Sequence, residues 1–542
     1  MTLQIIRRYA LMVLLITALH GCGGGGGSGS SSSGNGAGSG SGSGSPTDPV
    51  YTVGRYDDPS VFQNRCAQPR TGTDPYNNNA AYPDMPGSVV WENSWIRAWV
   101  YKYYLWYQQL PDLNPSSYTT TKDYFAADKT MQKTSSGTYV DKFHFTYVTS
   151  QWEQLSQGGV SVDYGAHWVF IATKPPRKLL VGYIEPNSSA SSHSVVRGAS
   201  VLKIDGIDLV NANDTASINS LNAAIYPASV GESHTFTLVD TPGSTPHDVS
   251  LTAAALTSAP VMNVKTFTVG SNVVGYFQFN DHIATAELGL FNAINQLQAS
   301  HANELIIDIR YNGGGYLAIA SELAYMVAGS AQTAHKTFEK TTFNDKYPST
   351  DPITGAPLTP TPFYSTGLNF SVAASQNLPS LNLSRVFLLV GPDTCSASES
   401  IINSLRGINV DVIIIGNQTC GKPYGFYPQD NCGTTYFSIQ FKGVNDKGFG
   451  DYTDGFVPQN APSSSGVPID GCAVADDFTH DLGDARENRL ATALAYVSSG
   501  AAACPAPTSD SVINPVLHTV STPHMVKPLW LRNRIIDNMS HR

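Results

Sequence analysis

Charge is scarce in this 542-residue chain. Asp, Glu, Lys and Arg make up 14% of it against 41% hydrophobic residues, and the basic groups are the minority (Lys+Arg 32, Asp+Glu 42, net −10). The first figure excludes a solvated, highly charged disordered chain. The second removes a general nucleic-acid footprint, which needs a basic excess. No apolar run reaches the roughly 18 residues of a membrane-spanning helix; the one near the N-terminus, Tyr9 to Leu19, has eleven. There is no Cys-x-x-Cys, no His-Glu-x-x-His, and no Gly-x-Ser-x-Gly between a strand and a helix. No Cys/His spacing suits structural zinc, and no metal or other cofactor is implied. The 13 histidines sit in no recognisable catalytic elbow.

What is present begins with Arg7 and Arg8 ahead of the short apolar run, an export-signal pattern. It ends Leu19-His20-Gly21-Cys22, which resembles the lipobox of bacterial lipoproteins. Residues 1–22 are therefore expected to be a signal peptide, with lipidation at Cys22. The body would sit in the cell envelope, anchored to the outer membrane and facing the periplasm. An ordinary secretory signal with a chance Cys is the alternative. Residues 23–46 are almost entirely Gly and Ser, a flexible tether with an r.m.s. span of about 25–30 Å. Beyond Cys22 there remain Cys66, Cys395, Cys420, Cys432, Cys472 and Cys504. In an oxidising compartment these can pair, in any of 15 ways; Cys420–Cys432 is expected as a local loop staple.

Trp91, Trp95, Trp99, Tyr103 and Tyr107 recur every fourth residue, one face of a helix that Pro111 would end. This stripe reads as core rather than as a ligand platform, within a helical region over 86–157. Between 158 and 257 short β-rich runs take over, with a tight turn at Asp205-Gly206 and a short helix near Ile218–Ile225; a small barrel is expected. The order resembles a PDZ domain. Tyr164-Gly165-Ala166-His167 would be its carboxylate-binding loop, making Gly165, Ala166 and His167 peptide-binding candidates, and Arg197-Gly198 precedes the run Val201–Gly206. Such domains add a peptide strand to a sheet edge and capture its terminal carboxylate on backbone N–H groups. Any small β-rich domain fits the runs equally well.

From 260 to 500 strands and helices alternate, the mark of a layered α/β core, with sites expected at the strand C-terminal ends. Residues 501–542 form a tail. Gly416-Asn-Gln-Thr-Cys-Gly421-Lys422 matches a phosphate-binding loop, but Pro423 stands where a hydroxyl should hold Mg²⁺, and no helix is expected after it; no nucleotide is implied. Thr394-Cys-Ser396-Ala-Ser-Glu399 lies between a strand and a helix, and Lys422 follows the next strand. A crossover returns both to one sheet edge. Ser396 could then be a nucleophile and Lys422 its base, provided burial keeps the amine neutral. The same Ser-x-x-Glu is a helix capping box, and most lysines are surface residues. Asp308-Ile-Arg-Tyr-Asn312-Gly-Gly-Gly315 ends another strand, and its glycines let backbone N–H groups approach a ligand.

Together these motifs resemble the C-terminal processing (tail-specific) serine peptidases over roughly residues 86 to 500. The matching residues are Asp308–Gly315, Ser396-Ala-Ser-Glu399 and Gly421-Lys422. The resemblance implies a crotonase-like α/β catalytic domain, a PDZ-like barrel preceding it, and an N-terminal helical segment. It makes Ser396 the nucleophile and Lys422 the general base. The oxyanion donors would be the Ala397 N–H and the Gly314–Gly315 loop. Glu399 is a candidate third member, although capping accounts for it equally. Phe426 stands where many members carry a Gln that orients the Lys. The substrates would be protein or peptide chains, met through their C-termini. The alternatives are a catalytically inactive envelope protein that binds C-terminal peptides, and an extracellular ligand-binding α/β protein.

Overall fold

The computed structural model describes residues 47–462 and 465–508 and the backbone of Arg534–Ile535. The expected signal peptide, Cys22 and the whole Gly/Ser tether lie outside the described residues. Among the described residues no helix is long and apolar enough to cross a membrane.

The aromatic helix runs Val89–Tyr103, with the Ser88 hydroxyl accepting from the Trp91 N–H. Trp95 and Trp99 are buried and stack on each other at 5.3 Å, packed against Tyr436. The stripe is core. The helix stops well before Pro111, because Tyr104 turns extended and the Leu105 N–H bonds to the Ile439 carbonyl. Tyr107 falls in a separate short turn, Tyr107–Gln109. A tertiary hydrogen bond, not the proline, ends this helix.

Residues 166–252 form a six-stranded antiparallel sheet. In spatial order its path is His247–Thr252, Ser233–Val239, Ser200–Ile204, Lys178–Ile184 and Ala166–Ala172, with Ile207–Asp208 paired to Ser200–Ile204. The Asp205-Gly206 turn has φ of 50° and 80°, the twist that a two-residue hairpin needs. Helix Thr215–Ile225 covers the sheet through Ile218, Leu221, Ala224 and Ile225. The expected barrel does not close. Ala166–Ala172 ends the path at one side, and Val160–Asp163 pairs separately with Ala254–Thr257.

The second six-stranded sheet positions the candidate site. Its order is Val261–Val269, Asn272–Phe279, Glu304–Asp308, Arg385–Val390, Asp411–Gly416 and Gly471–Ala473. The first pairing is antiparallel and all the others are parallel. Strands such as Leu305–Ile307 and Val386–Val390 are buried on both faces, as parallel strands between helical layers must be. Helices Ala286–Ala299, Leu317–Thr333 and Ala397–Gly407 pack on the larger core, and Asn488–Ser499 covers the opposite face through Leu490, Ala493, Tyr496 and Val497. Register brings Asp308 beside Leu389 and Val390 beside Gly416. Three strands thus end level, and the three loops that follow them meet.

The disulfides are Cys66–Cys432, Cys395–Cys420 and Cys472–Cys504. The expected Cys420–Cys432 staple is not formed. Cys395 and Cys420 lie on two loops at the same sheet edge, whereas Cys432, on a hairpin, faces the N-terminal region. That hairpin also pairs Thr434–Phe437 with Phe145–Val148. In the tail, Arg534–Ile535 runs parallel to Gly315–Tyr316.

Candidate active site

Ser396 sits on the turn from strand Arg385–Val390 into helix Ala397–Gly407, with φ 61° and ψ −115°. A positive φ is uncommon outside glycine and costs about 1–3 kcal/mol when held in a sparsely populated region; such residues cluster at functional sites. The hydroxyl is buried, and Ser396 Oγ has no hydrogen-bond partner among the described residues. Ser396 and Glu399 have the arrangement of a capping box, with the Glu399 N–H facing Oγ outside hydrogen-bond geometry.

Glu399 does carry the reciprocal half of the capping box, its carboxylate accepting from the Ser396 N–H at 3.0 Å. It reaches further. The same carboxylate accepts from the Gly421 and Lys422 N–H groups, each at 2.8 Å, and from the Thr419 hydroxyl at 2.5 Å. Burial pushes its carboxyl above the usual range, against these hydrogen bonds that lower it. Glu399 therefore ties the serine turn to the lysine loop through backbone groups. This is the geometry of a positioning residue rather than of an acid that touches a substrate.

Lys422 is fully buried. Its Nζ lies 4.8 Å from the Phe143 ring and 4.4 Å from the Phe426 ring. Phe143 comes from the N-terminal region, and the adjacent Lys142 Nζ donates to the Cys420 carbonyl at 3.0 Å. After Lys422 the chain forms a strand, Tyr424–Gly425, not a helix. Gly421 has φ 79°, and a side chain there would strike the Thr453 carbonyl. The loop is closed tightly around the lysine. The Ser396 and Lys422 backbones meet at the Glu399 carboxylate, with no hydrogen bond at Ser396 Oγ among the described residues.

The third loop is held by residues whose roles sequence reasoning missed. Asn312 Oδ1 accepts from the Gly314 N–H and faces His282 Nδ1, each at 3.0 Å, and Asn312 Nδ2 donates to the Phe279 carbonyl. The Asn312 carbonyl accepts from the Cys395 N–H and the Ser398 hydroxyl, fixing this loop to the serine turn. Burial lowers His282 to about 3, so its ring is neutral. Gly314 spends its N–H on Asn312 and Gly315 is paired with Arg534, which leaves Ala397, at the first turn of its helix, as the better-placed donor of the three expected. Gly315 has φ 136°, and a Cβ there would lie 2.5 Å from the His282 carbonyl. Arg310 anchors the loop from below. It pairs bidentately with Glu487 and also with Asp308, both buried, and with the partly buried Asp476. Cys395, Glu399 and Cys420 are a potential metal-ligating trio, but the two sulfurs are bonded to each other.

The candidate carboxylate loop is different. The Gly165 N–H donates to Asp163 Oδ1 at 2.6 Å, and the Gly165 carbonyl accepts from the Glu185 N–H. Burial raises Asp163 to about 6. Ala166 pairs with Ile184, and the His167 ring stacks on Tyr183 and lies 5.1 Å from Tyr311 of the glycine loop. Arg197 is the joint between this sheet and the core. It donates to Tyr311 Oη at 2.8 Å, to Asp476 at 2.7 Å and to the Gly182 carbonyl.

Residues 273–426 match the profile of Peptidase family S41, and residues 92–143 match the Peptidase S41 N-terminal domain. Both stretches are thus similar to S41 peptidase domains. The first spans the glycine loop, the serine turn and Lys422, and the second ends at Phe143. A carboxyl-terminal-processing protease of Picosynechococcus sp. (strain PCC 7002) is 24% identical over 237 residues, 44% of this chain. The chain spans about half the length of that relative (49%). The fold is that of a Bacteroides fragilis NCTC 9343 protein assigned to the S41 proteases, at TM-score 0.55 and 20% identity over 77% of this chain and 98% of that one. A photosystem II D1 C-terminal processing protease aligns over 75% of this chain and all of the other, at 18% identity and TM-score 0.41.

Proposed function

We propose that this protein is a serine endopeptidase of the cell envelope, lipid-anchored at Cys22, that cleaves polypeptides delivered by their C-termini. The observation that carries the reading is Ser396: a buried, unpartnered hydroxyl on a positive-φ turn at a helix start, one loop away from a buried lysine. In this reading the Lys422 amine takes the Ser396 proton as Oγ attacks the scissile carbonyl carbon. The Ala397 N–H and the Gly314–Gly315 loop receive the oxyanion. Lys422 then passes the proton to the departing amine, leaving an acyl-enzyme. A water that gives its proton to Lys422 hydrolyses the ester. The base must be the free amine. A ring face favours the ammonium form by about 0.5–2 kcal/mol. Full burial disfavours a charged amine by up to about 3–5 pKa units, the larger effect. Phe426, 4.4 Å from the amine, adds an apolar ring to its surroundings.

The sheet over 166–252, read as PDZ-like, supplies a second element. Ala166–Ala172 is its terminal strand, an edge to which an extended tail can add, and Arg197 joins that sheet to the glycine loop. The crotonase-like reading of the catalytic layers rests on the level strand ends.

The test is cleavage of peptides with apolar C-termini by wild type, Ser396→Ala and Lys422→Ala. Loss in both variants supports the mechanism, and equal rates in all three sink it. The burial of both dyad members favours one competing outcome, an inactive tail-binding protein. Tail binding by titration without turnover in the wild type would establish that instead.

A further inference from the structure

We infer that Cys395, Cys420 and Glu399 form one clamp that positions Ser396 and Lys422, and that the Cys395–Cys420 bond must be formed for turnover. The inference rests on the Ser396–Lys422 reading. Cys395 is the residue before the nucleophile, and Cys420 lies two before the base. Their disulfide, with a Cα separation of 5.2 Å, is the covalent link between two loops that belong to different strands. It lies in the core, Cys395 at 0% and Cys420 at 3% exposure. Each loop is also pinned through its backbone: the Cys395 N–H bonds to the Asn312 carbonyl, and the Cys420 N–H to the Thr394 carbonyl. Glu399 completes the clamp on the other side of the chain, accepting from Ser396, Gly421 and Lys422 N–H groups. The Cys420 sulfur lies 3.5 Å from that carboxylate.

The physical need is clear from the serine. A residue held at φ 61° stays there only where its surroundings over-determine it. Its partner arrives from another loop, so any relative slip of the two loops lengthens the Ser396–Lys422 separation directly. Misplacement of about 1 Å costs up to about a hundredfold in rate. The other two disulfides do not touch this geometry. Cys66–Cys432 ties the N-terminal region to a hairpin, and Cys472–Cys504 ties the last strand of the sheet to the segment after the final helix.

The experiment compares wild type, Cys395→Ala/Cys420→Ala and Cys472→Ala/Cys504→Ala, with Ser396→Ala as the blank, on one peptide across pH. The expected result is a fall in kcat of about a hundredfold for the first pair, KM nearly unchanged, and a displaced base limb in its kcat–pH profile. The second pair should keep the wild-type profile. A first pair whose kcat and profile superimpose on the wild type overturns the inference. A wild type no faster than Ser396→Ala overturns the underlying site instead, so the two failures are distinct. Should the first double variant not fold, native wild type is reduced with a water-soluble phosphine in the presence of EDTA. The phosphine becomes its oxide with an oxygen from water, and the two sulfurs gain two electrons and two protons as thiols. Alkylation and mass spectrometry of quenched aliquots then count each opened bond. Turnover lost in step with opening of Cys395–Cys420 supports the clamp. Full turnover from molecules with that bond open overturns it.

Discussion

Two turns in this molecule were marked as ligand sites, the Tyr164–His167 loop by its glycine and the Thr394–Glu399 turn by its place between a strand and a helix, and their polar groups are disposed in opposite ways. In the first, the Gly165 N–H is already spent on Asp163, and both Gly165 backbone groups are bonded within the protein. In the second, the Ser396 hydroxyl is left without a hydrogen-bond partner among the described residues, while the Ser396 N–H is held by Glu399. A buried polar group that goes unsatisfied costs free energy, and a fold keeps one where something else is meant to meet it. The contrast separates a turn with an open hydroxyl from a loop whose backbone groups are already occupied.

The largest break in that comparison is Ser396→Ala. Removing the hydroxyl should abolish peptide cleavage, by about four orders of magnitude or more, with an unchanged melting temperature because the hydroxyl bonds to nothing. Next is Glu399→Gln. An amide keeps one acceptor oxygen and turns a donor toward backbone N–H groups, at about 1–3 kcal/mol for each buried group left unsatisfied. Urea unfolding should show the loss, and kcat should fall more than KM rises. Gly315→Ala follows. Its Cβ would press on the His282 carbonyl, so cleavage should drop by about tenfold or more as that oxyanion loop shifts.

The sharpening test falls on the other turn. Asp163, raised to about 6, is charged above that pH and repels a terminal carboxylate. Titration with a C-terminal peptide should therefore give severalfold tighter binding at pH 5 than at pH 8, and Asp163→Asn should bind alike at both. A wild type indifferent to pH would place tail capture elsewhere. The smallest effect concerns stability. Glu322 is buried, and burial beside Glu287 raises it to about 10. The unfolded chain sheds that proton near pH 4 to 5 and the folded one keeps it. Stability contributed by the protonated form is therefore lost as pH rises toward 10, at no more than about 1.4 kcal/mol per pH unit. Glu322→Gln should flatten the fall in urea-unfolding free energy measured between pH 5 and 9.

The catalytic half was legible because its signals are local. The runs Glu304–Asp308, Arg385–Val390 and Asp411–Gly416 are apolar strands of the length expected, and Ser396, Lys422 and the glycine loop lie just past their ends. The parts that were not legible depend on residues far apart in sequence. No local pattern announces that Cys420 bonds back to Cys395 rather than forward to Cys432. The strand Gly471–Ala473 is three residues long, too short for periodicity to register. Asn312 and Glu399 were visible as motif positions, but what they hold is set by backbone groups of other loops. The helix Val89–Tyr103 ended early because of a carbonyl more than 300 residues away. The open sheet edge at Ala166–Ala172 could not be told from a closed barrel, since closure is a property of pairing, not of composition.

The pairing of Phe145–Val148 with Thr434–Phe437, sealed by a disulfide across 366 residues of sequence, sets an order of assembly. Strand Phe145–Val148 cannot complete its pairing until the chain has been made past residue 437. Such non-local contacts close slowly, because the entropy of a long loop must be overcome before any contact rewards it. The Phe143 ring that walls Lys422 lies just before that strand. The ring beside the Lys422 amine is therefore set in place only once strand Thr434–Phe437 has been made, so an early chain fragment lacks that wall.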